Sequence, residues 1–229
     1  MGLTALVLLP FFGGLLAPLL ADGRRHRERW VSILSMAAGL VVLLGLVLLP
    51  DDHPKWLAFH HSPWAPSIGV SVIFALDGLS AALLTVSLAL GIVSVMVSWQ
   101  ITHRSGLFHL ALCWTVAASN GVFLAFDLLI FAFFWELMLV PSALLIALWG
   151  HGQRERAAIK FIIFNAVAGL GLLAAVFFLA ATQAPLTFDG FAIAEAGVDP
   201  EWQTLLLLGF ALAFLVKLPA PPFHAWLPD

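Results

Sequence analysis

This sequence of 229 residues has no tyrosine, a single cysteine and few charges. Only 10% of its residues are charged, whereas 62% are hydrophobic, and the mean hydropathy is +1.04. This balance excludes an ordinary soluble domain and is typical of a membrane protein. The nine tryptophans and nineteen phenylalanines suit a lipid-facing surface with tryptophan near its interfaces.

Several kinds of site are excluded by what the sequence lacks. Cys113 lies alone inside an apolar run, which excludes an internal disulfide and a cysteine-rich zinc or iron–sulfur site. No GxGxxG follows a strand, and the sequence has neither a phosphate-cradling loop nor a Ser-His-Asp spacing. His53, His60 and His61 share one loop, but we do not expect them to bind a metal. We therefore expect no metal, no cofactor and no redox or hydrolytic chemistry in this chain itself, and no nucleic-acid partner.

Seven apolar stretches are long enough to cross a membrane, which takes about 20 helical residues. They cover approximately residues 3–21, 31–49, 79–99, 107–126, 128–149, 159–181 and 203–218. The first stretch has no basic segment before it and a basic cluster after it, so we interpret it as a retained helix rather than a signal peptide. The sequence thus predicts an all-α membrane protein with about seven transmembrane helices, its N-terminus outside, in a single transmembrane domain over residues 1–229.

The cations are distributed unevenly between the two sets of loops. Eight of the ten follow spans one, three and five: Arg24, Arg25, Arg27, Arg29, Arg104, Arg154, Arg156 and Lys160. The other loops hold only Lys55, and the tenth cation, Lys217, lies within the seventh span. By the positive-inside rule we expect loops 22–30, 100–106 and 150–158 to be cytoplasmic, in a multi-pass protein of the cell inner (plasma) membrane.

The seventh span combines a buried lysine with a helix break. Lys217 lies about fourteen residues into the span, near mid-membrane. Pro219, Pro221 and Pro222 follow it and must interrupt the helix. Broken backbone at this depth is tolerated only beside protein or a water-filled cavity, and a charge there points to an ion or substrate path. The alternative is a snorkelling lysine, although the depth makes it hard for the stem to reach water.

Glu136 is the only acid placed deeply enough to be a partner for Lys217. It lies about eight residues into the fifth span, roughly 12 Å below the outer boundary. A charged carboxylate facing lipid costs at least a few kcal/mol, so we expect Glu136 to face the bundle interior and to protonate or pair with a cation. At about 6 Å and an effective dielectric near 20, its coupling to Lys217 would be roughly 2.8 kcal/mol. Such a pair can change between ionic and neutral forms, as a proton relay requires. The alternative is a neutral glutamate that only ties helices together.

Pro141 lies about one turn beyond Glu136. It has no N–H group for the carbonyl of Leu137, so we expect the fifth span to kink there or to offer water a contact.

Five further polar residues are candidates for weaker reasons. His224 follows the break and could relay a proton, since its unperturbed pKa is close to neutral, or could bond a freed carbonyl. Asp77 begins the third span and is most simply a helix N-cap. Asn120 and Asn165 are polar points within spans four and six, where hydrogen bonds between helices are expected before a direct part in transport. Lys160 opens the sixth span and is expected to be an interface anchor.

Two long segments resemble motifs of a known family. FWELMLVP at 134–141, continuing to LWG at 148–150, resembles the fifth-helix motif of chain M of bacterial NADH:quinone oxidoreductase, respiratory complex I, whose mitochondrial counterpart is subunit 4. VKLP at 216–219 and PFHAWLPD at 222–229 are similar to the broken seventh helix of that family, and DGLS at 77–80 to the start of its third helix. Antiporter-like sister chains, subunits of multi-subunit sodium/proton antiporters and membrane-bound hydrogenases share the glutamate and the lysine. The sequence around Glu136 favours chain M.

This resemblance implies a function and a set of partners. Glu136 and Lys217 would form the central charged pair of a proton channel, with His224 following the break. Quinone reduction elsewhere in the complex would drive proton pumping. The quinone, NADH, FMN and iron–sulfur clusters would belong to partner subunits, and the partners of this chain would be other membrane subunits and the lipid bilayer.

The resemblance also implies a departure in length. Members of the family are about twice as long, with two inverted five-helix repeats related across the membrane plane. We therefore expect this chain to be the first part of an inverted-repeat, antiporter-like fold, the N-terminal half of a longer 14-helix subunit. Two alternatives stay open: a subunit of a sodium/proton antiporter or membrane-bound hydrogenase, or a nonfunctional truncated fragment.

Overall fold

The computed structural model describes residues 2–21, 26–49, 53 and 55–227. Within this part of the chain the helices are α1 (Gly2–Leu20), α2 (Arg27–Leu48), α3 (Gly78–Val97), α4 (Ser105–Leu124), α5 (Leu128–Leu137), α6 (Leu139–Trp149), α7 (Arg154–Ala181), α8 (Gly190–Ala196) and α9 (Pro200–Lys217). Seven stretches are long and apolar enough to cross a membrane, with α5 and α6 together forming one of them. The predicted helical membrane fold and its seven spans are confirmed. Arg24 and Arg25 of the predicted basic loop, and Pro228 and Asp229 of the terminal motif, lie outside the described residues.

The connection between the second and third spans, interpreted from the sequence as a loop, contains a β-hairpin. Strands β1 (Ala58–Ala65) and β2 (Val70–Leu76) form a two-stranded sheet. The second strand is rich in Val, Ile and Phe, which favour strands, but it is shorter than a membrane span. Gly69, directly before β2, has a φ of 71°, and a Cβ at this position would overlap with the backbone of Leu186. A glycine is therefore required at this turn.

The chain forms two compact units. The first contains Met1–His60 and Phe74–Leu124, and the second contains His61–Ile73 and Ala125–Asp229.

In the first unit, α1 packs against α2 and α4, and α3 also packs against both. Asn120 of α4 is fully buried and donates to the carbonyl of Leu6 in α1 at 2.9 Å. Its side-chain oxygen accepts a hydrogen bond from the hydroxyl of Ser87 in α3 at 2.8 Å. The predicted role of Asn120 in hydrogen bonding between helices is therefore confirmed, and it joins three of them.

In the second unit, α7 packs against α5, α6 and α9. Buried residues of α7, α8 and α9 form an apolar cluster made by Ala175, Leu179, Ile193 and Leu206. The long helix α7 therefore packs against both the helix that carries Glu136 and the helix that carries Lys217.

Candidate functional site

The fifth span is interrupted at Met138, two residues after Glu136. Helix α5 ends at Leu137, and α6 begins at Leu139. The N–H of Met138 still bonds the carbonyl of Phe134 at 3.2 Å, but Pro141 has no N–H to offer the carbonyl of Leu137. The hydrogen bond that Pro141 cannot make is missing, which leaves a one-residue gap between α5 and α6 and places Glu136 in the last turn of α5. A kink or a water contact at this gap stays a prediction.

The Glu136 carboxyl group points at α7. Its Oε1 atom lies so close to Gly169 that a Cβ there would overlap with it. This oxygen is buried and has no hydrogen-bond partner in the part of the chain that the structure describes. Glu136 therefore faces a neighbouring helix, and the absence of a side chain at position 169 provides the space for it.

Lys217 is the last residue of α9 and is half-buried. Its Nζ lies 5.0 Å from the ring centroid of Trp135, the residue before Glu136. The indole of Trp135 also packs edge-on against Phe214, with centroids 5.4 Å apart. A cation over an indole face gains about 0.5 to 2 kcal/mol, and the carbonyl end of a helix also favours positive charge. Two features of the fold therefore hold the ammonium beside α5.

Glu136 and Lys217 lie within electrostatic range of each other in the second unit. Trp135 connects them, because it is adjacent to Glu136 in sequence and carries the Lys217 ammonium on its ring. The site thus combines one acid, one base and an aromatic platform on two interrupted spans. A proton or a charge that reaches either group changes the electrostatic potential at the other.

The carbonyls at the end of α9 find partners in the turns after it. The N–H of Ala220 bonds the carbonyl of Leu215 at 2.9 Å. The indole Nε1 of Trp226 donates to the carbonyl of Val216 at 3.0 Å. Trp226 is not among the residues predicted for the site from the sequence. The sequence feature that could have indicated its role is a tryptophan soon after a proline-rich helix break, because the indole N–H can bond a freed carbonyl. The ring of Trp226 also packs on Phe161.

His224 lies on the same turn, and its side chain is exposed. Its backbone carbonyl accepts the N–H of Leu227 at 3.1 Å. A part for its imidazole in proton transfer stays a prediction.

The structure places the three weaker candidates of the long helices as follows. Asp77 caps α3, accepting the N–H of Ser80 at 2.7 Å, as predicted for an N-cap. Asn165 donates to the carbonyl of Phe161 in its own helix at 2.9 Å, so the expected bond to another helix is not the one formed. Lys160 lies in the second turn of α7, because this helix begins at Arg154 rather than at the predicted 159.

A metal centre is not formed by the described residues. Residues 2–21, 26–49, 53 and 55–227 contain no group of three or more His, Cys, Asp or Glu side chains that could hold a metal ion.

Comparison with known proteins places this geometry in a family. Residues 125–229 match the family model described as NADH:quinone oxidoreductase/Mrp antiporter, TM. NADH-quinone oxidoreductase subunit M of Pseudomonas aeruginosa is 40% identical over 98% of this chain and 48% of its own length. Subunit M of Escherichia coli K12 is 37% identical over 98% of this chain and 47% of its own length. The chain thus spans about half the length of the curated relatives it matches.

Solved structures agree with the sequence matches. A chain of respiratory complex I from Thermus thermophilus with bound NADH is 32% identical, with a TM-score of 0.85 over 100% of this chain and 46% of that one. A chain of the Mrp complex from Dietzia sp. shares the fold, with a TM-score of 0.79 at 24% identity over 100% of this chain and 25% of its own length. These matches show that the chain belongs to the NADH:quinone oxidoreductase/Mrp antiporter family of membrane subunits.

Proposed function

We propose that this chain is part of a proton-translocating membrane subunit of an NADH:quinone oxidoreductase, and that Glu136 and Lys217 carry the proton step. The chain itself performs no redox chemistry in this proposal. Quinone reduction, with NADH, FMN and iron–sulfur clusters, takes place in partner subunits. The partners are other membrane subunits of the same complex, in the cell inner membrane.

The observation that supports this proposal is the placement of an acid and a base at two helix interruptions of one compact unit. Glu136 has a buried oxygen without a hydrogen-bond partner in the described chain, so its carboxyl group can accept a proton there. Lys217 lies at the carbonyl end of α9 with its ammonium over Trp135. An unpaired carboxylate in this setting is costly, and protonation or the approach of the lysine charge lowers that cost.

In operation the pair changes between two states. With Lys217 charged and nearby, the Glu136 carboxylate is stabilised and releases its proton. When the lysine charge is neutralised or moves away, desolvation favours the protonated acid, and Glu136 takes up a proton. Pro141 has no N–H for the carbonyl of Leu137, so water can bond this carbonyl beside Glu136 and take part in a route for the proton.

A second candidate is a subunit of a multi-subunit sodium/proton antiporter, because the matching family model includes Mrp antiporters. The same pair would then couple proton and sodium movement without quinone chemistry. The names of the relatives favour the first candidate, since the relative with 40% identical residues is called NADH-quinone oxidoreductase subunit M. A sodium gradient that depends on the complete protein in the absence of quinone would favour the second. If the complete protein produced neither NADH-driven proton pumping nor a sodium gradient, the result would favour a nonfunctional fragment.

The proposal is tested with Glu136→Gln and Lys217→Ala in the complete protein, assembled with its partners in membrane vesicles. We expect each variant to abolish NADH-driven proton pumping while the complex remains assembled, because each removes one titratable member of the pair. The measurement is the quenching of a pH-sensitive dye, with assembly checked on a native gel.

Matched controls are Glu155→Gln and Lys55→Ala, which change an exposed acid and an exposed base by the same chemistry. Both controls should pump like the unchanged protein. Undiminished pumping in the Glu136 and Lys217 variants would overturn the proposal.

A further inference from the structure

The first unit contains a second group of buried titratable side chains, separate from the Glu136–Lys217 site. Glu28 and Arg29 in the first turn of α2 are 1% and 2% exposed, and His109 in the second turn of α4 is fully buried. Their helices begin in or directly after loops 22–30 and 100–106, which the charge pattern predicts to be cytoplasmic. We refer to these three residues as the Glu28 cluster.

Arg29 is anchored on two sides. Its guanidinium donates to the carbonyl of Ile101 at 3.2 Å and lies 5.2 Å from the ring centroid of Trp99. Its Nε is 3.7 Å from Oε1 of Glu28, close enough for an ion pair but too long for a hydrogen bond. The cation is therefore fixed against the connection between α3 and α4, and it compensates the Glu28 charge only partly.

Five buried polar atoms of the cluster have no hydrogen-bond partner in the part of the chain that the structure describes. These atoms are both carboxyl oxygens of Glu28, Nε of Arg29, and both ring nitrogens of His109. The Nδ1 atom of the neighbouring His26 is in the same situation. A neutral imidazole has one donor and one acceptor nitrogen, so no tautomer of His109 avoids an unsatisfied group.

Buried polar groups are almost always satisfied by protein or by ordered water. A buried water needs two to four polar partners, and the Glu28 cluster offers more than that number of unpaired donors and acceptors. His109 is within electrostatic range of both Glu28 and Arg29. The cluster therefore has the composition of a hydrated site in which an acid and a base respond to the same charge.

We propose that the Glu28 cluster holds buried water through which one proton is shared between the Glu28 carboxylate and the His109 imidazole. The proton leaves a carboxyl oxygen of Glu28, passes through the water, and is taken up by a ring nitrogen of His109; no electrons move. Arg29 stays charged and stabilises the carboxylate form. The site would be a proton-holding group at the predicted cytoplasmic end of the unit, apart from the Glu136–Lys217 pair.

The surroundings contain few other groups that could account for such a titration. The elements packed against α4 are α1, α2 and α3, and the described parts of α1 and α3 contain no ionisable side chain. Helix α2 contributes Arg27 beside the cluster, and α4 also contributes the Cys113 thiol, one turn from His109. The connecting segments contribute His26, His103 and Arg104.

The first experiment needs no variant. In a cryo-electron-microscopy map of the complete protein in its complex, at a resolution that shows water, we expect water density in contact with Glu28 and His109. A dry cluster, or one in which direct protein contacts satisfy these atoms, would overturn the proposal.

The second experiment follows the proton. Infrared difference spectra across pH, recorded on membranes that contain the complete protein, should show a protonated-carboxyl band that is lost in Glu28→Gln and retained in the control Glu155→Gln. Because coupled groups titrate as a pair, His109→Gln should shift the midpoint of this band by about one pH unit or more. Proton sharing would be contradicted if the carboxyl band remained in Glu28→Gln, or if His109→Gln left the pH midpoint of the band unchanged. A merely structural role for His109 would leave the midpoint unchanged.

Discussion

Gly169 decides how the Glu136 carboxyl group is placed, although it carries no chemistry itself. Oε1 of Glu136 occupies the space that a Cβ at position 169 would take. Any larger residue at position 169 must push the Glu136 carboxyl group away from α7. This shift changes the distance between the carboxyl group and the Lys217 ammonium. Because the group displaced is the end of a flexible side chain, the cost to folding is small and the cost to function is not.

We therefore expect Gly169→Ala in the complete protein to lower proton pumping at least about 10-fold while changing the unfolding free energy by less than about 1 kcal/mol. Pumping in vesicles and thermal unfolding in detergent measure the two effects. Gly171→Ala is the matched control on the same helix, since the nearest atom to its added Cβ is Cδ2 of Leu212 at 4.0 Å. Equal pumping in the two variants would show that the position of Glu136 does not depend on Gly169.

Trp135 and Trp226 have different effects on the same region. Trp135 supports the Lys217 ammonium, whereas Trp226 satisfies the Val216 carbonyl one residue earlier in the chain. The two indoles thus stabilise the end of α9 through its charge and through its backbone.

At the level of elements, aspartates cap the starts of α3, α5 and α9. Asp77 accepts the N–H of Ser80 at the start of α3, and this hydrogen bond is the main cause that lowers the pKa of Asp77. Asp127 caps α5 by accepting the N–H groups of Leu129 and Ile130 at 2.9 and 3.1 Å. Its second oxygen accepts the N–H of Ser71 in β2 at 2.9 Å, so one fully buried side chain joins the hairpin to the helix that carries Glu136.

Asp127 differs from Asp77 in its electrostatics. Burial raises the pKa of Asp127, and the three backbone N–H groups only partly oppose this effect. The segment before α8 completes the arrangement, because the N–H of Leu128 bonds the carbonyl of Phe188 and the N–H of Gly190 bonds the carbonyl of Phe126, both at 2.9 Å. The start of α5 is thus held by backbone and side-chain bonds at once.

The Asp77 cap makes a pH-dependent prediction. We expect Asp77→Ala to reduce the unfolding free energy by about 1 kcal/mol at neutral pH, as is usual for loss of an N-cap. The native pKa is lowered, so the contribution of Asp77 is present above the unfolded value near 4 and is lost as pH falls through the lower, native value. The difference between the two proteins in thermal or denaturant unfolding should therefore shrink with acidification below about pH 4.

Asp77→Asn provides the control for that experiment, since asparagine caps helices without a titratable charge. It should retain most of the stability at neutral pH and lose the acid dependence. A constant difference between Asp77→Ala and the unchanged protein down to strongly acidic pH would contradict the assigned role of the carboxylate.

At the scale of the whole molecule, the orientation of the seven spans in the membrane follows from charge. Eight cations on one set of loops against one on the other predict that the hairpin connection is outside and the connection before α7 is cytoplasmic. Ser67 at the hairpin tip and Gln153 before α7 are both exposed, so each can report on one side.

We expect Ser67→Cys to react with a membrane-impermeant thiol reagent added to intact cells, and Gln153→Cys to react only after the membrane is opened. Both changes are made in a Cys113→Ser background, which removes the one thiol of these 229 residues. The measurement is the extent of labelling on a gel, with the background protein as the control. The reverse pattern would invert the predicted topology, and with it the side from which the Glu28 cluster is reached.

The sequence alone was sufficient for the number of spans, their approximate bounds, the break near Pro141 and the pairing candidates Glu136 and Lys217. Each of these depends on a local property: apolar length, the missing N–H of proline, or the cost of a charge in hydrocarbon. The hairpin at 58–76 was not predicted, because a strand pair is specified by partners distant in the chain and its apolar run is short.

Only the tertiary structure decided which groups meet. It placed Gly169 against Glu136, Trp135 under Lys217 and Trp226 on the Val216 carbonyl, contacts that join helices far apart in sequence. It also turned Asn165 onto its own helix and buried Glu28, Arg29 and His109 within electrostatic range of one another. The physical reason is that periodicity and composition specify how a helix begins, ends and faces lipid, whereas the rotation of one helix against another is set by packing.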